Sequence, residues 1–222
     1  MKNIIIPTTF AADTVEAMKI AAYIAENSGS ITLLSNSPIS DSITELLFLS
    51  SKDAIDVASR EKVLADWKRY ADQKGIDMTV EKHHQFGMSR PLLDSVLEKY
   101  DTDLVVAPQS FQQSKNHSHR LMMSLLNRCT CPVMLLPDAG QLQETYQRAL
   151  YLDEAGQPLS STLQHLPFHI IHSSMLHEAK GKSLTALIDQ MNVDLIVQRK
   201  RRGEVVADDA ELIDLGLPIL TV

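Results

Sequence analysis

Residues 103–136 open on Asp103-Leu104-Val105-Val106 and close on Cys131-Pro132-Val133-Met134-Leu135-Leu136. Between them lie a polar loop, Gln109 to His119, and a helical stretch carrying Leu121, Met122, Leu125 and Leu126. Leu104-Val105-Val106 is a near-continuous apolar run, the kind of strand buried on both faces of a parallel sheet. Working outward, the same alternation recurs. Ile4-Ile5-Ile6 is a β-branched run stopped by Pro7-Thr8-Thr9. Asp13, with Glu16 three residues on, reads as the N-cap of a helix with a broad apolar face, and Gly29 reads as its stop. Ile31-Thr32-Leu33-Leu34 predicts a second strand. A helical region in two pieces follows, the first marked by Ile43, Leu46 and Leu47, the second by Val63, Leu64, Trp67 and Ala71 and ended by Gly75. Asp77 to Glu81 predicts a third strand, and Ser89 caps a helix carrying Leu92, Leu93, Val96 and Leu97.

Five strands alternating with helices in about 137 residues predict an α/β fold: a doubly wound five-stranded parallel sheet with helices on both faces. Asn-Gly or Asp-Gly hairpin signals, which an antiparallel fold would need, are missing between the strands.

The remainder repeats the beginning. Asp103-Leu104-Val105-Val106 returns 91 residues later as Asp194-Leu195-Ile196-Val197, and Cys131-Pro132-Val133-Met134-Leu135 is echoed by Leu217-Pro218-Ile219-Leu220-Thr221. Ala149 to Leu152 and Phe168 to Ile171 supply two further strands. The expected organisation is therefore a full unit at 1–137 and an abridged second copy at 138–222, too small to rely on a core of its own. Each closing strand alone would be an apolar edge, so the two units are expected to pack through them as an internal pseudo-dimer.

Composition bounds the function. The chain has 222 residues, 44% hydrophobic and 22% charged, with a net charge of −7. That balance argues against a protein built to coat nucleic acid or an anionic membrane. No apolar run reaches the roughly 20 residues needed to span a bilayer, and the apolar start is too short for a signal peptide. A cytoplasmic location is the expectation. Cys129 and Cys131 stand one residue apart, a poor spacing for a disulfide.

The order and spacing of Ile4-Ile5-Ile6-Pro7-Thr8-Thr9-Phe10, Asp103-Leu104-Val105-Val106 and Cys131-Pro132-Val133-Met134-Leu135 resemble the universal stress protein family, well over residues 1–137 and weakly beyond. The resemblance implies a sheet of the adenine nucleotide alpha-hydrolase-like type, dimeric or tandem assembly, and ATP binding in some members. In those that bind ATP, the loop after the fourth strand carries Gly-x-x-Gly, nine residues, then Gly-Ser/Thr. Here the first two glycine positions fall on Pro108 and Phe111, the last pair on His119 and Arg120, and no glycine occurs from Ala107 to Pro137. Pro108 has no N–H to give, and Phe111 is expected to fill the anion's space. The acidic residue those members carry after the first strand is Thr9 here.

The expectation is a non-catalytic stress or signalling module with no ATP bound in the family manner. The alternative is a nucleotide- or phosphate-binding protein, taking ATP or AMP, with at most slow hydrolysis. The expected partner is a small-molecule ligand, and a homodimer or internal pseudo-dimer is the expected assembly. Candidate pocket residues are Thr8, Thr9, Asn36, Gln109 and Ser110 at the carboxyl ends of the strands. Arg199 and Arg201 are added because the cationic run Arg199-Lys200-Arg201-Arg202 stands in a second unit with 7 basic and 12 acidic residues. Bland readings compete. A charge run is usually a solvated loop, here beside Glu204, Asp208 and Asp209. The histidines at 83, 84, 117, 119, 165, 169, 172 and 177 invite a metal reading. Cys129 and Cys131, however, have only one residue between them where zinc cysteine pairs have two to four, so loop histidines are the plainer reading and no metal is expected. A nucleophile elbow and the Walker and Rossmann glycine fingerprints are all missing, so no catalytic residue is assigned.

Overall fold

The structure, a computed structural model, describes residues 2–39, 56–143, 145–152, 166–173, 184–199 and 215–222. Its first part runs β1 (Asn3–Pro7), α1 (Asp13–Ile24), β2 (Ser28–Ser37), α2 (Val57–Lys74), β3 (Asp77–Phe86), α3 (Arg90–Lys99), β4 (Leu104–Ala107), α4 (Gln109–Gln112), α5 (His117–Leu126) and β5 (Val133–Leu135). After a 3₁₀ turn at Ala139–Gln141 come β6 (Arg148–Leu152), β7 (His169–His172), α6 (Leu184–Met191), β8 (Leu195–Gln198) and β9 (Ile219–Thr221). Residue 137, the expected unit boundary, lies between β5 and β6.

All nine strands form one sheet, in the order β3-β2-β1-β4-β5-β9-β8-β6-β7. Strands β1 to β5 are mutually parallel, and so are β6 to β9. Among the described residues the one antiparallel contact is β5 with β9, which pairs Val133 with Thr221, Met134 with Leu220 and Leu135 with Ile219. The two closing strands therefore cover each other's edges, and Thr221 Oγ1 adds a buried bond by donating to the Val133 carbonyl at 3.1 Å. On the far side of that junction β9, β8, β6 and β7 stand in the order in which β5, β4, β1 and β2 stand on the near side. A counterpart of β3 is not among the described residues.

Alternation of side chains sorts the core into two layers. Ile4, Ile6, Ile31, Leu33, Leu104 and Val106 pack beneath α1 and α2, where Trp67 and Val63 reach in. Ile5, Leu34, Val105 and Val133 pack on the opposite face beneath α3 and α5, with Leu93, Val96, Met122 and Leu126. Both layers continue across the junction: Leu220, Leu195 and Tyr151 join the first, and Ile219, Ile196 and Leu150 the second. Strands β6, β8 and β9 thus share both core layers with β1 to β5. Tyr23 of α1 clips the connection to β6 by donating from its hydroxyl to the Tyr146 carbonyl at 2.6 Å.

Several local expectations are corrected. The helix predicted to start at an Asp13 cap has Ala12 at the N-cap position with no side-chain bond, and Asp13 is its first residue. Gly29 does not end α1. Glu26 and Asn27, both in left-handed conformation with φ of 53° and 60°, turn the chain, and the Asn27 N–H donates to the Ala22 carbonyl at 2.8 Å. Gly29 lies inside β2 at φ 115°, where an added Cβ would stand 2.2 Å from the Lys2 carbonyl oxygen. Close backbone approach, not helix termination, demands this glycine. Strand β3 runs on to Phe86, five residues past its expected end, and the polar loop after β4 contains the short helix α4. The first helical piece between β2 and α2 lies outside the described residues. Ser89 and Gly75 do cap α3 and α2 as expected, Ser89 Oγ accepting from the Leu92 N–H and Gly75 adopting φ 66°.

Leu220, fully buried at the junction, tests whether the two halves share a core. Leu220→Ala is expected to lower unfolding stability by about 2–5 kcal/mol, with both halves melting together in a single denaturant transition. Loss confined to the segment after residue 138 would show separate cores.

Candidate functional site

In an open parallel sheet a ligand crevice forms outside the carboxyl ends of the strands where strand order reverses. Here that point lies between β1 and β4, which are neighbours and send their chains to opposite faces. The residues that meet there come from three segments: Thr8 to Asp13 after β1, Asn36 at the end of β2, and Pro108 to Ser114 after β4.

The β1 turn is held from within. Thr8 is buried, and its N–H donates to the Leu34 carbonyl at 2.9 Å. Its Oγ1 accepts the Phe10 N–H at 2.7 Å and lies 2.9 Å from Thr14 Oγ1. These bonds hold Phe10 at φ 59°, a left-handed conformation a phenylalanine rarely adopts. The turn places Asp13 at the crevice, facing α4. Its Oδ2 accepts the Ser110 N–H at 2.8 Å and its Oδ1 accepts the Ser110 hydroxyl at 2.7 Å. A carboxylate of the chain itself therefore sits on the backbone donor that follows β4.

The loop after β4 is tied down by two more clasps. Gln112 Nε2 donates to the carbonyls of Ala107 at 2.7 Å and Leu136 at 2.9 Å, bridging the ends of β4 and β5. Asn36, itself buried, donates from Nδ2 to the Ser118 carbonyl at 3.1 Å and so links β2 to the start of α5, while its Oδ1 has no partner. His119 lies beside the Ser114 hydroxyl, with its Nδ1 2.8 Å from Ser114 Oγ, and its ring stacks on Phe111 with centroids 4.7 Å apart. Burial holds the His119 ring below the usual imidazole range, and a hydrogen bond to the Asn36 backbone opposes that shift.

Of the predicted pocket residues, Ser110 is the partner of Asp13 in the clasp and Thr8 braces the turn that leads to it, while Thr9 and Gln109 are half-buried. Asn36 belongs to the neighbouring clasp on α5. Phe111 is corrected: it is fully buried in the layer beneath α5 and leaves the crevice mouth to Asp13 and Ser110. Antiparallel pairing of β5 with β9 points the carboxyl end of β8 to the opposite rim of the sheet, so exposed Arg199 stands on the second half's own rim, away from Thr8 and Ser110. Arg201 lies outside the described residues, as do Lys200, Arg202, His165 and His177.

Asp13 and Gln112 are the site residues that sequence reasoning missed. A carboxylate N-terminal to an apolar helix reads first as its cap, and only the β1–β4 contact shows the competing partner 97 residues away. A cleft of about 570 Å³ also opens between the β1–α1 turn and α2, over Phe10, Val15 and Val63. Two ion pairs line it, Lys19 with Glu16 at 2.7 Å and Arg69 with Asp66 at 2.9 Å, and Lys62 also stands on its wall. Among the described residues no cluster of three His, Cys, Asp or Glu side chains could hold a metal. None of the described helices is long and apolar enough to cross a membrane. Cys129 and Cys131 are both buried thiols.

No family model matches the sequence, and no curated protein sequence matches it. Solved structures do match. A universal stress protein from Archaeoglobus fulgidus DSM 4304 aligns over 99% of this chain and 95% of its own, at 16% identity and a TM-score of 0.59. A functionally unknown protein from Pseudomonas aeruginosa PAO1 aligns over 100% and 92%, at 11% identity and a TM-score of 0.53. The cytoplasmic domain of a prokaryotic cation chloride cotransporter aligns over 99% and 94%, at 9% identity and a TM-score of 0.51. The chain has the universal stress protein fold.

Removing the clasp should be measurable. Asp13→Ala leaves the Ser110 N–H without its acceptor and is expected to cost about 1–3 kcal/mol in urea denaturation. Ser110→Ala keeps the N–H bond and should cost less. Equal losses, or none, would contradict the bidentate contact.

Proposed function

We propose that this chain is a non-catalytic binding or signalling module on the universal stress protein scaffold, and that its switch-point crevice does not take ATP in the family manner. The observation that carries this reading is the Asp13–Ser110 clasp. A phosphate at this crevice needs the backbone N–H groups that follow β4. The Ser110 N–H is committed to Asp13, Pro108 has none, and the carboxylate's negative charge repels a polyphosphate.

Assembly follows the same logic. We read the chain as two copies of the fold, 1–137 and an abridged 138–222, joined edge to edge as an internal pseudo-dimer. The repeated strand order about the β5–β9 contact supports this. With β9 covering the β5 edge, a pair of whole chains would have to meet through another surface. A cytoplasmic role in stress signalling, with a small-molecule ligand, is part of this reading and rests on the fold alone.

Calorimetric titration with ATP, AMP and cyclic nucleotides tests the proposal. The expected result is no binding heat at micromolar to low millimolar nucleotide and no change in melting temperature. Micromolar ATP binding that is lost in Arg199→Ala but kept in Ser110→Ala would favour a phosphate site at the opposite sheet edge. Micromolar ATP binding strengthened by Asp13→Asn would show a working family-type crevice and overturn the reading.

A further inference from the structure

The second half of β3, Lys82-His83-His84-Gln85-Phe86, is the outer border of the sheet among the described residues, where it pairs with Leu33 to Ser37 of β2. Two adjacent histidines fall within it, one on each face, and each is tied to the structure through a ring nitrogen. We propose that His83 and His84 form an acid-released latch: uncharged, they pin the end of β3 to β2 and α3, and protonation frees that edge and uncovers β2. The proposal does not rest on whether the crevice binds nucleotide.

On one face, His84 Nδ1 lies 2.9 Å from Ser35 Oγ and its ring meets Phe86 edge-on at 4.6 Å. Its Nε2 is enclosed with no hydrogen-bond partner. A neutral ring tolerates this, because Nδ1–H can donate to Ser35 and leave Nε2 bare. An imidazolium carries N–H on both nitrogens, and the one at Nε2 would be a buried charged donor with no acceptor, which is costly.

On the other face, His83 Nδ1 lies 3.0 Å from the Tyr100 hydroxyl, and its ring stands edge-on to that phenol at 5.6 Å. The Lys99 ammonium lies 4.8 Å from the centre of the same phenol ring, so a charged His83 would add a cation beside a cation. The remaining groups on these faces offer little relief. Gln85 Oε1 is 3.5 Å from His83 Nε2. Asn36 of β2 donates from Nδ2 to Ser118 and its Oδ1, though without a partner, bonds neither ring, and Glu81 is exposed, where water screens it. Lys82, two residues before His84 on its face, is a cation. Charging both rings would also place like charges on consecutive residues.

Burial holds both rings below the usual imidazole range, reinforced at His84 by His83 and at His83 by Lys99, with Gln85 opposing. The sign follows. Because the folded edge keeps these rings neutral, the opened edge takes up protons first as pH falls below about 6.5. The latch is therefore closed at and above neutrality, and its contribution is lost progressively in acid.

Hydrogen exchange by mass spectrometry, corrected for intrinsic rate, reads the latch directly. Between pH 7 and pH 5, protection of amides 82–86 is expected to fall several-fold, while Ile4 to Ile6 and Leu104 to Val106 keep theirs. The double variant His83→Gln with His84→Gln should lose this pH dependence. Should that variant fail to fold, an NMR titration of the two rings in the native chain decides. Midpoints at or above 6.5 overturn the proposal, as does unchanged protection at pH 5 or an acid response that survives the double substitution.

Discussion

The proposed function depends on one interaction, the hold of a single carboxylate on the loop after β4. Wound parallel sheets converge their strand ends, helix starts and unpaired backbone N–H groups on one crevice, and that convergence is what makes them anion receptors. In this chain the donor after β4 is taken by Asp13, which accepts both the N–H and the hydroxyl of Ser110 at 2.8 and 2.7 Å. The contact is charge-assisted, a class worth about 1.5–3 kcal/mol per bond. The Thr8-braced turn, with Phe10 in its left-handed conformation, leads the chain from β1 into the helix that carries this carboxylate. A ligand phosphate would have to displace a partner that is tethered, correctly oriented and already negative.

The second constraint is the edge. A five-stranded wound sheet leaves its last strand open, and an apolar edge such as Val133-Met134-Leu135 invites association. The chain answers with its own β9, antiparallel and in register, so that one sheet and two continuous core layers run through both halves. This solution inverts the second half. The carboxyl ends of β6 to β9 face away from those of β1 to β5, and any site on the second half opens on the opposite rim. Tyr23 and the connection through Tyr146 fasten the halves a second time.

Much of the fold was legible in the sequence because buried parallel strands must be continuous apolar runs, and Ile4-Ile5-Ile6, Leu104-Val105-Val106 and Leu195-Ile196-Val197 are such runs. The repeat at Asp194 likewise announced the second set of strands. What was not legible depends on partners far along the chain. Lys82-His83-His84-Gln85 has no apolar alternation, and it is a strand because β2 pairs with it residue by residue. Asp13 and Glu16 match a capping box in spacing, yet Asp13 is drawn to Ser110. The missing glycines after Ala107 drew attention to the loop after β4, but sequence could not show that Phe111 turns into the core or that Asp13 bonds Ser110. Sequence also could not show that Arg199 stands on the opposite rim from Thr8 and Ser110, because the direction of β8 is fixed by the β5–β9 pairing, a contact between distant segments.

A crystal structure grown in millimolar ATP tests the central claim most directly. The account predicts density joining the Asp13 carboxylate to Ser110 at the present hydrogen-bond distances, with no nucleotide in the crevice between β1 and β4. A triphosphate bound to the Ser110 N–H, with the Asp13 side chain swung away, would contradict it.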